Sequence, residues 1–273
     1  MANFNFTHKT AVVTGAAGGI GQAVAEKLAE KGANLALIDR NAGGLKAVAE
    51  KITAQYPKLK VTYYALDLSR LEDVPAVVEK VTADHPKVGL LVNNAGIALN
   101  GTIEEISMEN FELVLTINFR AQVALVKQFL PALKKTHASH VANVSSLFGL
   151  VGPAGQSAYA SSKFAVRGFS DVLRMELKPY DIGVTTIYPA GVKTNIAANS
   201  VKGAGLDAKK AAANNTHFEK LLKMTPERAA EIIVSGIERK KTRVMVGGVA
   251  KLFDRIARIL PGSYGGLVAW FMK

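Results

Sequence analysis

The sequence predicts a doubly wound α/β fold: one domain of about seven parallel strands with helices on both faces. Three observations carry this expectation. Short apolar runs alternate with helix-period stretches from residue 11 to residue 246, the pattern of successive strand–helix–strand units. The first run feeds a glycine-rich turn and then a helix, a layout that aims backbone N–H groups and a helix N-terminus at a pyrophosphate. Finally, Asp67, Asn94 and Ser146 each fall at the carboxyl end of a predicted strand. That edge of an open parallel sheet is where ligands bind.

In chain order, Ala11-Val12-Val13-Thr14 is a β-branched strand. It is followed by Gly15-Ala16-Ala17-Gly18-Gly19-Ile20-Gly21 and a helical pattern through Val24 and Leu28 to Gly32. The spacing is Gly-x-x-x-Gly-x-Gly; the commoner Gly-x-Gly-x-x-Gly fails because position 24 is valine. Glycines in a tight turn also serve conformation alone, but between a strand and a helix they favour phosphate binding. Residues 34–38 form a buried second strand ending in Asp39-Arg40. Asp39 lies 18 residues after Gly21, near the place of an acid that grips the adenosine ribose hydroxyls. Its charge should repel a 2′-phosphate, whereas Arg40 could bind one. NAD is therefore favoured, with NADP as the alternative.

Helices at 45–54 and 71–83 flank a strand at 61–65 that closes at Asp67-Leu68. A strand at 88–92 ends in Asn93-Asn94-Ala95-Gly96. Residues 108–135 form a long helical stretch carrying Asn118, which Pro131 is expected to kink or end. The fifth strand, 141–144, runs into Ser145-Ser146. A helix at 159–177 is closed by Pro179, and the sixth strand, 183–188, leads to Pro189-Ala190-Gly191-Val192-Lys193-Thr194. The Ala-, Gly-, Asn- and Lys-rich stretch that follows, about 195–224, suits a mobile lid. Thr225-Pro226-Glu227 starts a capped helix to about residue 240, and 243–246 is the seventh strand. Residues 1–247 thus make one domain, and 248–273 a C-terminal extension.

Tyr159 and Lys163, four apart, share one helix face. A phenol ordinarily holds its proton to about pH 10. An ammonium about 4 Å away at an effective dielectric near 20 favours the phenolate by roughly 4 kcal/mol. That is about three pKa units, enough to bring the group near 7, where proton transfer runs well in both directions. A serine nearby could orient the oxygen being protonated. The chemistry suggested is carbonyl/alcohol interconversion, although a Tyr-x-x-x-Lys pair alone is also what an interfacial tyrosine beside a solvated lysine looks like.

Composition narrows the field. The chain has 273 residues, 49% of them hydrophobic, and no cysteine. That excludes disulfides and thiolate chemistry and fits a reducing compartment. The first ten residues have no apolar core of the signal-peptide kind, and no run of 18 apolar residues occurs, so a cytoplasmic protein with no membrane span is expected. No metal site is expected. The net charge is +12, and residues 201–273 hold 14 Lys/Arg against 6 Asp/Glu. No zinc-finger spacing or RNA-binding aromatic signature accompanies this excess, so it reads as a solvated basic surface and not a nucleic-acid site. Residues 249–260 form an amphipathic basic helix, followed by Tyr264, Leu267, Val268, Trp270 and Phe271. It could dock on the domain, build a subunit interface, or contact a membrane surface.

Together these residues resemble the short-chain dehydrogenase/reductase family over residues 10 to about 246. The motifs are Thr14-Gly15-x-x-x-Gly19-x-Gly21, Asp67, Asn93-Asn94-Ala95-Gly96, Asn118, Ser146, Tyr159-x-x-x-Lys163 and Pro189-x-x-Val192-x-Thr194. The resemblance implies a Rossmann-type seven-stranded sheet that binds a nicotinamide dinucleotide. It implies Tyr159 as general acid/base, Ser146 as partner of the substrate oxygen, and Lys163 as tuner of Tyr159 and ligand of the nicotinamide ribose. Asn118 would hold a helix bulge and a water of the proton relay. Ser146 is preferred to Ser145 because the family places its serine 13 residues before the tyrosine. Gly15, Gly18, Gly19, Ile20 and Gly21 would hold the phosphates and Asp67 and Leu68 the adenine. Asn94, Ala95 and Gly96 would complete the cofactor site, and Pro189, Val192 and Thr194 would hold the carboxamide. Homodimers or tetramers are implied as well.

Ala190 stands where the family usually has glycine, and the basic, apolar C-terminus lacks the glycine-rich ending common in acyl-carrier-protein reductases. It looks more like members acting on retinoids or steroids. Ile97, Leu99, Leu147, Phe148, Leu150, Val151, Tyr188 and Phe218 are expected on the substrate side, which suggests a lipophilic ketone or secondary alcohol unless several of them belong to the core. A 3-oxoacyl-carrier-protein reductase-like activity and a non-catalytic nucleotide-binding scaffold or sensor are the alternatives.

Overall fold

The computed structural model describes residues 3–194, 201–202 and 223–271. Chain order runs β1 (Thr10–Thr14), α1 (Gly19–Glu30), β2 (Asn34–Asp39), α2 (Ala42–Gln55), β3 (Val61–Ala65), α3 (Val74–Asp84) and β4 (Val88–Asn93). Next come a short β5 (Leu99–Asn100), α4 (Met108–Leu115), α5 (Ala121–Lys135), β6 (His140–Val144), α6 (Ser157–Leu177) and β7 (Gly183–Pro189). A short β8 (Val201–Lys202), α7 (Pro226–Glu238), β9 (Arg243–Val246), α8 (Gly248–Ile259) and α9 (Tyr264–Phe271) follow. Seven strands form one parallel sheet in the order β3-β2-β1-β4-β6-β7-β9. The direction of winding reverses between β1 and β4, which opens a crevice at their carboxyl ends.

Strand periodicity explains the two-layer core. In β2, Leu35 and Leu37 enter one cluster while Ala36 and Ile38 enter the other, because successive side chains point to opposite faces. Helices cover both faces, so the strands read as continuous apolar runs and not as alternating ones. On one face Val24 and Leu28 of α1 pack with Leu45 and Ile52 of α2 and with Ile233 and Ile237 of α7. On the other, Val78 and Val81 of α3 join Leu125, Phe129 and Leu133 of α5 and Leu173 and Leu177 of α6.

The stretch 108–135 carries at Thr116–Arg120 the bulge that the resemblance implied at Asn118: one π turn separates α4 from α5, and the Ala121 N–H reaches back to the Thr116 carbonyl. The expectation for Pro131 fails. Pro131 neither ends nor interrupts α5, which continues to Lys135. Phe129 and Leu133, both fully buried on the sheet, hold the turns on either side of the proline. By length and composition Met108–Lys135 could cross a membrane, but this packing accounts for its apolar character as that of a core helix. The pairing of β5 with β8 has no counterpart in the sequence pattern.

Most of the expected lid, 195–224, lies outside the described residues. Its two ends are joined: Lys193 N–H donates to the Met224 carbonyl at 2.8 Å, and Met224 N–H to the Gly191 carbonyl at 3.0 Å. The C-terminal extension folds back on the body. Phe253 and Val268 are buried against Phe148, Val151 and Ala160, and Arg243 of β9 donates to Asp254 of α8 at 2.6 Å.

At the start of α7 the Thr225 hydroxyl accepts the Arg228 N–H at 3.3 Å, with Pro226 at the first helical position. Thr225→Ala should therefore lower stability by about 1 kcal/mol in urea unfolding, and Thr225→Ser should restore most of it. No loss in the alanine variant would mean that Pro226 and tertiary packing alone set this helix start.

Candidate active site

The carboxyl ends of β1 and β4 are drawn together by the absence of side chains. Gly15 leaves β1 with φ of +67°, a region costly for residues with a Cβ. At Gly21 a Cβ would lie 2.0 Å from the Gly15 carbonyl oxygen and 2.6 Å from Asn94 Nδ2, so only glycine lets α1 start this close to the turn. Gly18 precedes α1 and no side chain caps the helix, which leaves its first N–H groups for a ligand. Asn94 fixes the opposite wall: its Nδ2 donates to the Thr14 carbonyl at 3.0 Å, and its backbone N–H to Thr14 Oγ1 at 3.0 Å.

Asp39 ends β2. Its Oδ2 accepts the Ala17 N–H at 3.1 Å and its Oδ1 the Asn41 N–H at 3.0 Å, so the carboxylate is tied to the glycine-rich turn. Asp67, beyond β3, accepts from Ser69 N–H at 2.9 Å and from the Ser69 hydroxyl at 2.8 Å. The backbone bond most of all, with Arg40 and Arg70 adding, holds its carboxyl below the usual carboxylate range.

Tyr159 and Lys163 project from the first turns of α6 toward the end of β6. Lys163 is 2% exposed, and its Nζ donates to the Val144 carbonyl at 3.1 Å and lies 5.6 Å from the centre of the Tyr159 ring. Burial lowers this ammonium to about 8. Tyr159 keeps part of its surface open, yet the shell around its ring pushes the phenol above its ordinary value, with the Ser146 hydroxyl opposing the rise. The expectation that lysine would bring the phenol down toward 7 is thus corrected: burial, which disfavours the phenolate, is the largest influence, and what opposes it is the Ser146 hydroxyl and not the lysine. Phe148 forms part of that shell, edge-on to Tyr159 at 6.2 Å between ring centres.

Asn118 is fully buried in the π turn. Its Oδ1 accepts the Ile97 N–H at 2.8 Å, and its Nδ2 donates to the Ile97 carbonyl and to Ser162 Oγ, both at 3.0 Å. Ser162 donates in turn to the Tyr159 carbonyl at 2.7 Å. Asn118 therefore braces the start of α6 against the segment after β4. Ser145 is 2% exposed and donates to the Lys163 carbonyl at 2.8 Å, whereas Ser146 is partly open.

One cleft of about 450 Å³ collects these groups. Gly15, Gly18, Gly19, Ile20, Asp39 and Arg40 line one end with Asp67 and Leu68. Asn94, Ala95, Gly96, Ser146, Tyr159 and Lys163 line the middle, and Pro189, Val192 and Thr194 close the other wall. Gly21 and Asn118 stand behind the lining, acting through close approach and bracing. Ala17 and Gly191, inside the expected turn and the 189–194 segment, also reach the cleft; so do Asn41, Ile117 and Ser145, which the sequence did not point to as cofactor contacts and which only their positions beside the motifs could have suggested.

The apolar residues expected on the substrate side divide. Ile97 lines the cleft; Phe148 and Val151, 6% and 1% exposed, are buried in the cluster against which Leu147 and Tyr159 pack. Leu99 and Tyr188 are instead core residues, 1% and 0% exposed. Leu99 is turned by β5 into the packing with Val114 and Ala158, and Tyr188 lies beneath the Arg243 guanidinium. Leu150 is 3% exposed, and Phe218 lies outside the described residues. No cluster of potential metal ligands occurs among the described residues.

Solved structures share this architecture. A Burkholderia phymatum short-chain dehydrogenase/reductase in complex with NAD superposes with a TM-score of 0.85 at 26% identity, covering 97% of each chain. A Sphingobium yanoikuyae short-chain dehydrogenase in complex with NADPH gives 0.76 at 27% identity, covering 95% of each. The SadH protein of Mycobacterium tuberculosis is 40% identical over 97% of this chain and 95% of its own length. Dehydrogenase/reductase SDR family member 7B of Xenopus tropicalis is 32% identical over 94% and 84%. The short chain dehydrogenase model matches residues 9–205. The glycine-rich turn, the Tyr/Lys pair on one helix and these likenesses converge, and the chain belongs to the short-chain dehydrogenase/reductase family of NAD(P)-dependent oxidoreductases.

Proposed function

We propose that this oxidoreductase interconverts a lipophilic ketone or aldehyde and the corresponding alcohol, with Tyr159 as general acid/base, Ser146 and Lys163 beside it, and Asn118 as brace. The observation that carries the reading is the convergence of a shielded phenol, a 2% exposed lysine and a partly exposed serine on one cleft with the glycine-rich turn. The cleft suits the cofactor because Cβ atoms at Gly15 and Gly21 would fill it or its wall and because the α1 N-terminus is uncapped. A bound nicotinamide supplies a hydride acceptor or donor. Every other task falls to the chain.

Tyr159 stays protonated near neutral pH, since burial raises it, and so can hand its proton to a carbonyl oxygen during reduction. In oxidation it must take a proton, a direction that improves as pH rises. Ser146 Oγ accepts the Phe148 N–H at 3.2 Å and its hydroxyl bonds Tyr159, so a substrate oxygen entering between them would take over that donor. Lys163 holds its charge 5.6 Å from the Tyr159 ring centre. Ile97 on the cleft wall and the partly exposed Leu147 packed with Tyr159 against one apolar cluster support an apolar substrate. The test is turnover of long-chain or polycyclic carbonyls against small polyols with either cofactor; faster turnover of polyols would overturn the substrate class.

NAD is the proposed cofactor, because the fixed Asp39 carboxylate would repel a 2′-phosphate. Asp39→Ala should then shift the NAD-to-NADP affinity ratio toward NADP by about tenfold or more. A wild type that prefers NADP together with an indifferent Asp39→Ala would refute this assignment, with Arg40 then the residue to test.

A further inference from the structure

The apolar sector of α8 is wider than the surface it has to cover. Val249, Phe253, Ile256 and Ala257 pack beside Phe148 and Tyr159. Leu252 and Ile259, seven apart and therefore on one line of the helix, continue that sector but stay 53% and 76% exposed. Ile259 is the most exposed large apolar side chain among the described residues. Leu260 and Leu267, at 42% and 44%, carry the uncovered margin across the turn into α9.

Beside this margin runs a line of cations. Lys251, Arg255 and Arg258 recur at i, i+4 and i+7 and are all exposed. Asp254 is the one acidic residue from 248 to 271, and it is already engaged by Arg243 at 2.6 Å and Arg258 at 3.2 Å. A second copy of the chain on this face would oppose cations to cations with no free carboxylate to separate them. An anionic lipid surface offers both complements at once: phosphates for the cations and acyl boundary for the leucines and isoleucine.

We propose that α8 and α9 dock the protein on an anionic bilayer surface, with Leu252, Ile259, Leu260 and Leu267 entering the interface and Lys251, Arg255 and Arg258 meeting the headgroups. The inner side of the same helix walls the cluster that holds Tyr159, so docking sets the cleft beside a reservoir of lipophilic molecules. That consequence rests on the proposed carbonyl chemistry; the docking itself does not.

The test is co-sedimentation of the full chain with vesicles of phosphatidylcholine alone and with roughly a third phosphatidylglycerol, at ~0.15 M salt. Binding should be at least about tenfold stronger on the anionic vesicles and should fall steeply with added salt. Lys251→Gln with Arg255→Gln should lower it by roughly 25-fold, two losses of about fivefold each. Leu252→Ser with Ile259→Ser should reduce it by a comparable factor. Melting temperature and dinucleotide affinity serve as readouts independent of turnover and should stay at wild-type values, since all four side chains are exposed. Equal binding to neutral and anionic vesicles, or binding untouched by either pair of substitutions, overturns the proposal. So does a concentration-dependent dimer that these substitutions dissolve, which would assign the face to a second copy.

Discussion

Replacing Tyr159 with phenylalanine is expected to lower kcat by about 10²–10⁴-fold, the range for loss of a general acid/base, while dinucleotide affinity stays nearly intact. The ring would keep its edge-on contact with Phe148 and its place in the cluster with Phe253 and Val268, so only the transferable proton is removed. Steady-state turnover together with a fluorescence titration of the reduced cofactor separates the two effects. A variant keeping roughly a tenth or more of wild-type turnover would show that another group moves the proton. Loss of cofactor binding in parallel would mean that the phenol is a binding group first. In the wild type, alcohol oxidation should gain with rising pH relative to carbonyl reduction, because burial holds the phenol above its ordinary value.

Lys163→Met should abolish at least about 99% of turnover and yet leave the protein more stable at pH 7, by about 2 kcal/mol. The lysine ionises at 10.5 in an unfolded chain and at about 8 in the native one. Across that interval the unfolded state binds more protons, so native stability rises as pH climbs from about 8 to 10.5. Below about 8 the buried ammonium carries its full penalty, on the order of 3 kcal/mol, of which the hydrogen bond to Val144 returns roughly 1. Methionine fills a similar volume without the charge. Urea unfolding of both proteins at several pH values checks this: the gap should be widest near neutrality and close toward pH 10. A variant less stable than wild type at pH 7 would show that the lysine's contacts outweigh its desolvation, and would argue against its lowered ionisation.

The parts of the site that could be read from the sequence are those in which one residue type is physically required. Gly21 faces the Gly15 carbonyl at a distance no Cβ tolerates, and Tyr159 and Lys163 share a helix face by spacing alone. The polar strand ends at Asp67, Asn94 and Ser146 likewise follow from where a parallel sheet leaves its ligand edge. The phenol's ionisation was not legible, because its shell includes Phe253 and Val268 from the far end of the chain. The π turn at Thr116–Arg120 has no compositional mark, so Asn118 could be named only through a resemblance, and Pro131 drew attention to the wrong turn. Leu99 and Tyr188 were misplaced for a related reason: an apolar side chain looks the same in sequence whether it faces a cleft or a core.

The packing of α1 on α7 has a consequence for biosynthesis. The helix that follows the glycine-rich turn leaves the ribosome early, but Val24 and Leu28 find Ile233 and Ile237 only after some two hundred further residues have been translated. Until then the nascent chain exposes an oily stripe next to strands whose partners are still unmade, a state prone to aggregation and to capture by chaperones. Truncations that stop short of residue 226 should therefore be recovered in inclusion bodies or bound to chaperones, even though every glycine of that turn is already in place.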